Sequence, residues 1–166
     1  MTLKEPTLLD KERLMDYIEE HYGNGEKYIH ASNCLTDMDY DDWINKLTND
    51  KSLGDKDWGI SETYLAIDDG KLIGLLNVRY TLSSELAEIY GNIGYGVRPS
   101  ERRKGYATEI LKQAILLSRD KGLTEVILGC YKDNIGSIKT IEANKGVLYK
   151  EAPMQDKPAV YYKIKC

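Results

Sequence analysis

"GNIGYGVRPSERRKGYATEIL", residues 91 to 111, holds the junction that decides the fold. Its first part belongs to a strand running over residues 87 to 97, interrupted by Gly91, Gly94 and Gly96 and stopped at Arg98-Pro99. Glycines inside a strand mark a bulge or a close approach of backbone to a ligand. Its last part opens a helix over about residues 105 to 121, with Ala107, Ile110, Leu111, Ala114, Ile115 and Ser118 as the inner stripe. Between them stand three consecutive cations, Arg102, Arg103 and Lys104, followed by Gly105. The first N–H groups of a helix have no internal partner, and the dipole places about half a positive charge there. Cations are therefore at the unfavourable end of the helix. An anion bound at the turn would explain them, with Gly105 letting backbone approach it and Ala107 keeping the second turn slim. A solvated basic turn is the alternative.

Outward from this junction the periodicity alternates between helix and strand. On the N-terminal side, residues 10 to 21 place Leu14, Tyr17 and Ile18 on one helical face, with Asp10 as N-cap. A second helix falls within residues 37 to 50, where Tyr40, Trp43, Ile44 and Leu47 follow i, i+3, i+4, i+7 and Thr36 with Asp39 resembles a capping box. Strands follow at 63 to 67 and 71 to 80, joined by a tight turn at Asp69-Gly70, and residues 81 to 86 read as loop. Beyond the long helix come a strand at 124 to 131, a helix capped by Asp133 or Asn134 with Ile138 and Ile141 inward, and two final strands. With a first strand at "TLKEP", three meandering strands and a helical crossover predict an α+β fold around a mixed sheet, not a doubly wound one.

Composition narrows the function classes. The chain has 166 residues, 42% hydrophobic and 30% charged, which fits one domain, residues 1–166. A net charge of −4 gives no broad footprint for nucleic acid or an anionic membrane. No apolar run approaches the ~20 residues of a membrane span, and the N-terminus has no signal-peptide core, so a cytoplasmic location is expected. Cys34, Cys130 and Cys166 are widely spaced and lack CxxC; with only His21 and His30 beside them, neither a disulfide framework nor a metal site is expected. Phenylalanine is absent and tyrosines number 13, so tyrosine carries the aromatic packing.

"RRKGYA" matches the Arg/Gln-x-x-Gly-x-Gly/Ala signature of the GNAT N-acetyltransferases. The order from "GNIGYGVRPS" through the long helix, "VILGC" and "NIGSIKTIEANKGV" resembles that family over residues 60 to 150. The resemblance implies the GNAT fold: a mostly antiparallel mixed sheet of six to seven strands, splayed at the cofactor site and flanked by about four helices. It implies acetyl-CoA as co-substrate, with residues 60–150 as its core and 1–60 as variable acceptor-side helices. The pyrophosphate would sit on backbone N–H groups of Arg102, Arg103, Lys104, Gly105, Tyr106 and Ala107, with Thr108 nearby. The strand ending at Val97 would pair with the pantetheine arm, Asn134 would contact that arm, and Ser137 would face the same cleft. The activity implied is direct acetyl transfer to a primary amine of a small molecule or peptide, without a metal. Homodimers are common in the family.

Two family positions depart from the pattern. The tyrosine found seven residues after the asparagine, a general acid, is Ile141 here, and the Gly-Phe that follows is Gly146-Val147. Tyr131 or Tyr106 would have to replace it, against the alternative that both only pack. The glutamate base placed fourteen residues before the motif glycine is Gly91 here. Glu88 is the nearby base, and Asn92 could position a water. The acidic run at residues 37 to 42 can attract a cation, or can simply favour the first turn of its helix. Both an N-acetyltransferase and a non-catalytic acyl-CoA sensor on the same fold are compatible with these residues.

Overall fold

A computed structural model describes the backbone of all 166 residues and the side chains of all except Ser84 and Glu88. Along the chain run β1 (Thr2–Lys4), α1 (Lys11–Gly23), α2 (Tyr40–Ser52), β2 (Ser61–Asp68), β3 (Lys71–Arg79) and α3 (Ser84–Tyr90). There follow β4 (Ile93–Val97), α4 (Tyr106–Asp120), β5 (Glu125–Tyr131), α5 (Ile135–Ala143), β6 (Val147–Met154) and β7 (Lys157–Lys165). The strands form two sheets, ordered β1-β2-β3-β4 and β5-β7-β6, in which every ladder is antiparallel.

The β2–β3 hairpin forms as its turn residues dictate. Asp69 (φ 46°) and Gly70 (φ 76°) are both left-handed, the geometry a two-residue primed turn requires. Its register skips Ile73, because Ala66 faces Gly74 while Ile67 faces Leu72. The bulge puts Leu72 with Leu75 on one face and Ile73 with Leu76 on the other. Leu72 and Leu75 pack with Leu14, Tyr17, Ile18 and Trp43 from α1 and α2. Ile73, Leu76 and Val78 pack with Ile110, Leu111 and Ala114 of α4, and Ile141 of α5 joins the same core. Each such side chain, when fully buried, contributes roughly 1.5–3 kcal/mol of transfer free energy.

The expected strand over 87 to 97 is shorter, and the expected loop at 81 to 86 is partly helical. Ser83 accepts a hydrogen bond from Leu86 N (3.3 Å) and starts α3, which Gly91 ends at φ 74°. A serine N-cap and a left-handed glycine stop are ordinary helix punctuation. In so short a segment they outweigh the apolar alternation that suggests a strand. The α-helices thus number five among the described residues, against about four expected. Two caps also differ. Asp10 turns its carboxylate back to Thr7 N (2.9 Å), Thr7 Oγ1 (2.8 Å) and Lys4 Nζ (2.9 Å) instead of capping α1. Asp39 precedes α2 without a side-chain cap bond, and Thr36 meets Asp37 at 3.4 Å, so no Thr36–Asp39 box forms.

Candidate active site

β4 and β5 belong to different sheets, and Asn92, just before β4, ties them together. Its N–H donates to Ile127 O (2.7 Å), and Ile127 N–H donates back to Asn92 Oδ1 (2.8 Å). Its Nδ2 reaches Arg79 O (3.3 Å). Asn92 is 8% exposed. Its amide therefore holds the two sheets together, and the side chain expected to be able to position a water has both its oxygen and its nitrogen engaged by backbone. Beyond Asn92 the two strands form no ladder with each other, and β4 from Ile93 to Val97 keeps an edge of unpaired peptide groups toward β5. Such an edge is a template for an extended, amide-bearing ligand. Across the gap Tyr95 of β4 meets Ser137 of α5, hydroxyl to hydroxyl at 3.0 Å. Burial pushes the Tyr95 phenol up to about 12, so it stays protonated and able to donate.

At the Val97 end the chain turns through Pro99–Glu101 into the cationic segment. Arg103 (φ 63°) and Gly105 (φ 87°) are left-handed, and α4 begins at Tyr106. A Cβ on Gly105 would meet nothing within 4 Å, so this helix N-terminus opens outward. The three cations are not equivalent. Arg102 donates from Nε to Val97 O (3.0 Å) and pairs with Glu26 at 2.7 Å. Lys104 pairs with Glu101 at 2.8 Å. Arg103 alone of the three has no ion pair among the described residues. Glu26 in turn accepts from His21 Nδ1 (2.8 Å) and Asn24 Nδ2 (3.0 Å). Burial would raise its carboxyl, but the hydrogen bonds from Arg102, His21 and Asn24 outweigh this and hold it at about 2. This tie between α1 and the cationic turn joins residues 76 positions apart, and no local pattern announces it.

The other expected residues have different engagements. Asn134 N-caps α5, its Oδ1 accepting from Ser137 N (3.1 Å), and stays exposed. Thr108 gives its carbonyl to Asn144 Nδ2 (3.1 Å), which braces α4 against α5, and Ala107 packs on the core. Tyr106 donates its hydroxyl to Asp68 (2.7 Å) and is committed to the hairpin end of β2. Tyr131 donates to Gln155 (3.2 Å) in the β6–β7 turn. Ile141, at the family's tyrosine position, is 1% exposed and part of the core. The side chain of Glu88 lies outside the described residues; its backbone is in α3 and not in the expected strand. Tyr95 went unnoticed among 13 tyrosines, although it stands between the two glycines of β4.

On the face of β4 away from α4, Gly94 and Gly96 leave the strand bare. A Cβ on Gly96 would lie 3.2 Å from His30 O and 3.4 Å from the Tyr17 hydroxyl. Tyr17 is fully buried and its hydroxyl has no partner among the described residues. The segment after α1 thus closes over β4 at Gly96, where a side chain would push it back, while for a Cβ at Gly94 the nearest atoms stand at 3.8 Å and beyond.

A split sheet with a bare strand edge leading to an open helix N-terminus defines an acyl-CoA-type binding fold, and comparison with known proteins agrees. A family model of the GNAT acetyltransferase domain matches residues 1–146, so the chain belongs to the GNAT acetyltransferase family. Among solved structures it resembles the microcin self-immunity acetyltransferase MccE in complex with acetyl-CoA and AMP. That match has 18% identity and TM-score 0.73, and covers 99% of this chain and 92% of the other. The ribosomal-protein-alanine N-acetyltransferase of Brucella melitensis matches at 14% identity and TM-score 0.70, with both chains fully covered. RimL, an alpha-N-protein acetyltransferase in complex with coenzyme A, matches at 14% identity and TM-score 0.68, covering 98% and 92%. No protein of curated function is similar enough in sequence to count as a match. The residues present fit acetyl-CoA: Gly105 puts no side chain at the open N-terminus of α4, and β4 offers free peptide groups beside it. No helix among the described residues is long and apolar enough to cross a membrane.

Proposed function

We propose that this chain transfers an acetyl group from acetyl-CoA to the nitrogen of a primary amine in a small molecule or peptide. The observation that carries the proposal is the open N-terminus of α4, with left-handed Gly105 at its head, set beside the unpaired edge of β4. Acetyl-CoA supplies an activated acyl thioester. Backbone N–H groups from Arg102 to Ala107 bind its pyrophosphate, with Arg103 as the cation free to add charge and Thr108 alongside. Peptide groups of β4 up to Val97 hold the amide-bearing arm, and Asn134 and Ser137 line the opposite wall. A β4 N–H stabilises the oxyanion that develops at the carbonyl. An alkylamine has a pKa near ~10.4 and arrives protonated at neutral pH, so it must lose a proton before attack. Glu88 is assigned that proton. Tyr95, a phenol kept protonated by burial, donates to the departing thiolate; Tyr131 and Tyr106 have their hydroxyls engaged elsewhere. Residues 1–60 form the acceptor side.

Buried Ile141 in place of the family's tyrosine favours a second reading, an acyl-CoA sensor without turnover. Measuring thiol release from acetyl-CoA across a panel of amines, beside calorimetric titration with CoA, decides between them. Amine-dependent release supports transfer. CoA binding without release on any amine establishes the sensor, and absence of CoA binding removes both.

A further inference from the structure

Arg79, the last residue of β3, is a half-buried cation without an acidic partner among the described residues. Its guanidinium donates from one nitrogen to Gly91 O (3.0 Å) and stacks on Trp58, 5.0 Å from the ring centroid. Trp58 in turn meets Tyr90 edge-on at 5.0 Å. Removal from water disfavours the charge on this guanidinium. The chain's other buried arginine is treated differently: Arg98, 3% exposed, pairs with Asp16 at 2.8 Å and Glu20 at 2.7 Å. The buried carboxylate of Glu62 is likewise satisfied, by Tyr64, Tyr80 and Lys121. A guanidinium has five N–H donors, and withdrawing it from water without a counter-charge is unfavourable. The carbonyl and the ring offset only part of that.

The direction in which Arg79 points supplies the reason. One terminal nitrogen, Nη2, lies 3.8 Å from the place a Cβ of Gly94 would occupy, and Ala31 lies 3.9 Å from the same place. The free donors therefore reach β4 on its bare face, opposite α4, where an acceptor would approach the strand that holds the thioester arm. We propose that the amine acceptor carries a carboxylate or phosphate group and that Arg79 binds it. Planar guanidinium donors match both anions bidentately. Trp58 fixes the guanidinium in place, and the missing side chain at Gly94 keeps its path to the acceptor clear. The proposal rests on the N-acetyltransferase reading of the same site.

The test uses matched amines with and without the anion: γ-aminobutyrate against n-butylamine, and O-phosphoethanolamine against ethanolamine. The protein is saturated with CoA for binding by calorimetry and supplied with acetyl-CoA for turnover. The anionic member of at least one pair should bind and react about tenfold better or more. The pair that shows this distinguishes carboxylate from phosphate. Arg79→Gln should abolish the preference with CoA affinity unchanged. Arg79→Lys, which keeps the cation and is the safer variant for folding, should retain an intermediate preference. Equal binding of both members in each pair overturns the proposal, as does a preference that survives in folded Arg79→Gln. Because the binding arm needs no turnover, anion-dependent binding lost in Arg79→Gln sustains the Arg79 assignment even if no amine is acetylated, an outcome that would count against acetyl transfer alone.

Discussion

At the scale of single residues, the cationic turn divides its labour in a way that substitutions should reveal. Gly105 holds φ 87° with open space ahead of it, so Gly105→Ala should cost about 1–2 kcal/mol in fold stability from backbone strain. Gly105→Leu should add to this a loss of CoA affinity of ~10-fold or more, as the side chain fills the seat; unchanged affinity in a folded variant would remove the seat from Gly105. Arg103→Glu should weaken CoA binding and leave the melting temperature unchanged, because Arg103 is exposed and has no ion pair among the described residues. Arg102→Ala should lower the melting temperature as well, because Arg102 fastens Val97 O and Glu26. The run Arg102-Arg103-Lys104 was legible in the sequence as a positive cluster. Its reduction to one available cation was not, because Glu26 meets Arg102 only through the tertiary fold. The same limit hid Arg79, whose significance lies in a missing carboxylate and in its nearness to Gly94.

Among the elements, the segment between α3 and β4 joins the sheets and should be intolerant of change. A Cβ on Gly91 would come within 2.6 Å of Ile127 O and 3.0 Å of Leu128 Cα, both backbone, at a left-handed φ. Gly91→Ala should therefore destabilise by more than about 2 kcal/mol in chemical denaturation. Asn92→Leu should cost roughly 1–3 kcal/mol by leaving Ile127 N–H unsatisfied. Elements with strong periodicity or decisive turn residues were legible: α1, α4, the Asp69-Gly70 hairpin and β5 all lie where their patterns put them. α3 was not, because seven residues give the helical period less than two turns, and Ile89 and Tyr90 also suit a strand. The splay of the sheet was expected from the family resemblance; that the amide of Asn92 bridges the two sheets where β4 and β5 part was not legible, because it depends on a tertiary contact with Ile127.

Across the whole molecule, acid should loosen the tie between α1 and the cationic turn. Burial holds the His21 imidazole below its usual 6.5, so the unfolded chain takes up protons first as pH falls through that value, and stability declines from there. Glu26 is held at about 2 against an ordinary 4.5, so its contribution, on the order of 2–3 kcal/mol, is complete above 4.5 and is lost as pH falls toward 2. Asp10, Glu20 and Glu62 are also lowered and steepen the same limb. Melting temperatures should therefore be level above about pH 6.5, fall gently below it and steeply below about pH 4.5. Glu26→Gln should flatten the lower limb; an unaltered profile in that variant would show the tie to be unimportant. The bond between Tyr95 and Ser137 has a different consequence. On the proposed reading the thioester arm lies between these two hydroxyls, so its binding would displace their bond. Tyr95→Phe abolishes that bond together with the proposed proton donor. It should tighten CoA binding a few-fold, by the ~1 kcal/mol of one hydrogen bond, while slowing acetyl transfer by ~100-fold. Affinity and rate would then move in opposite directions from the removal of one oxygen atom.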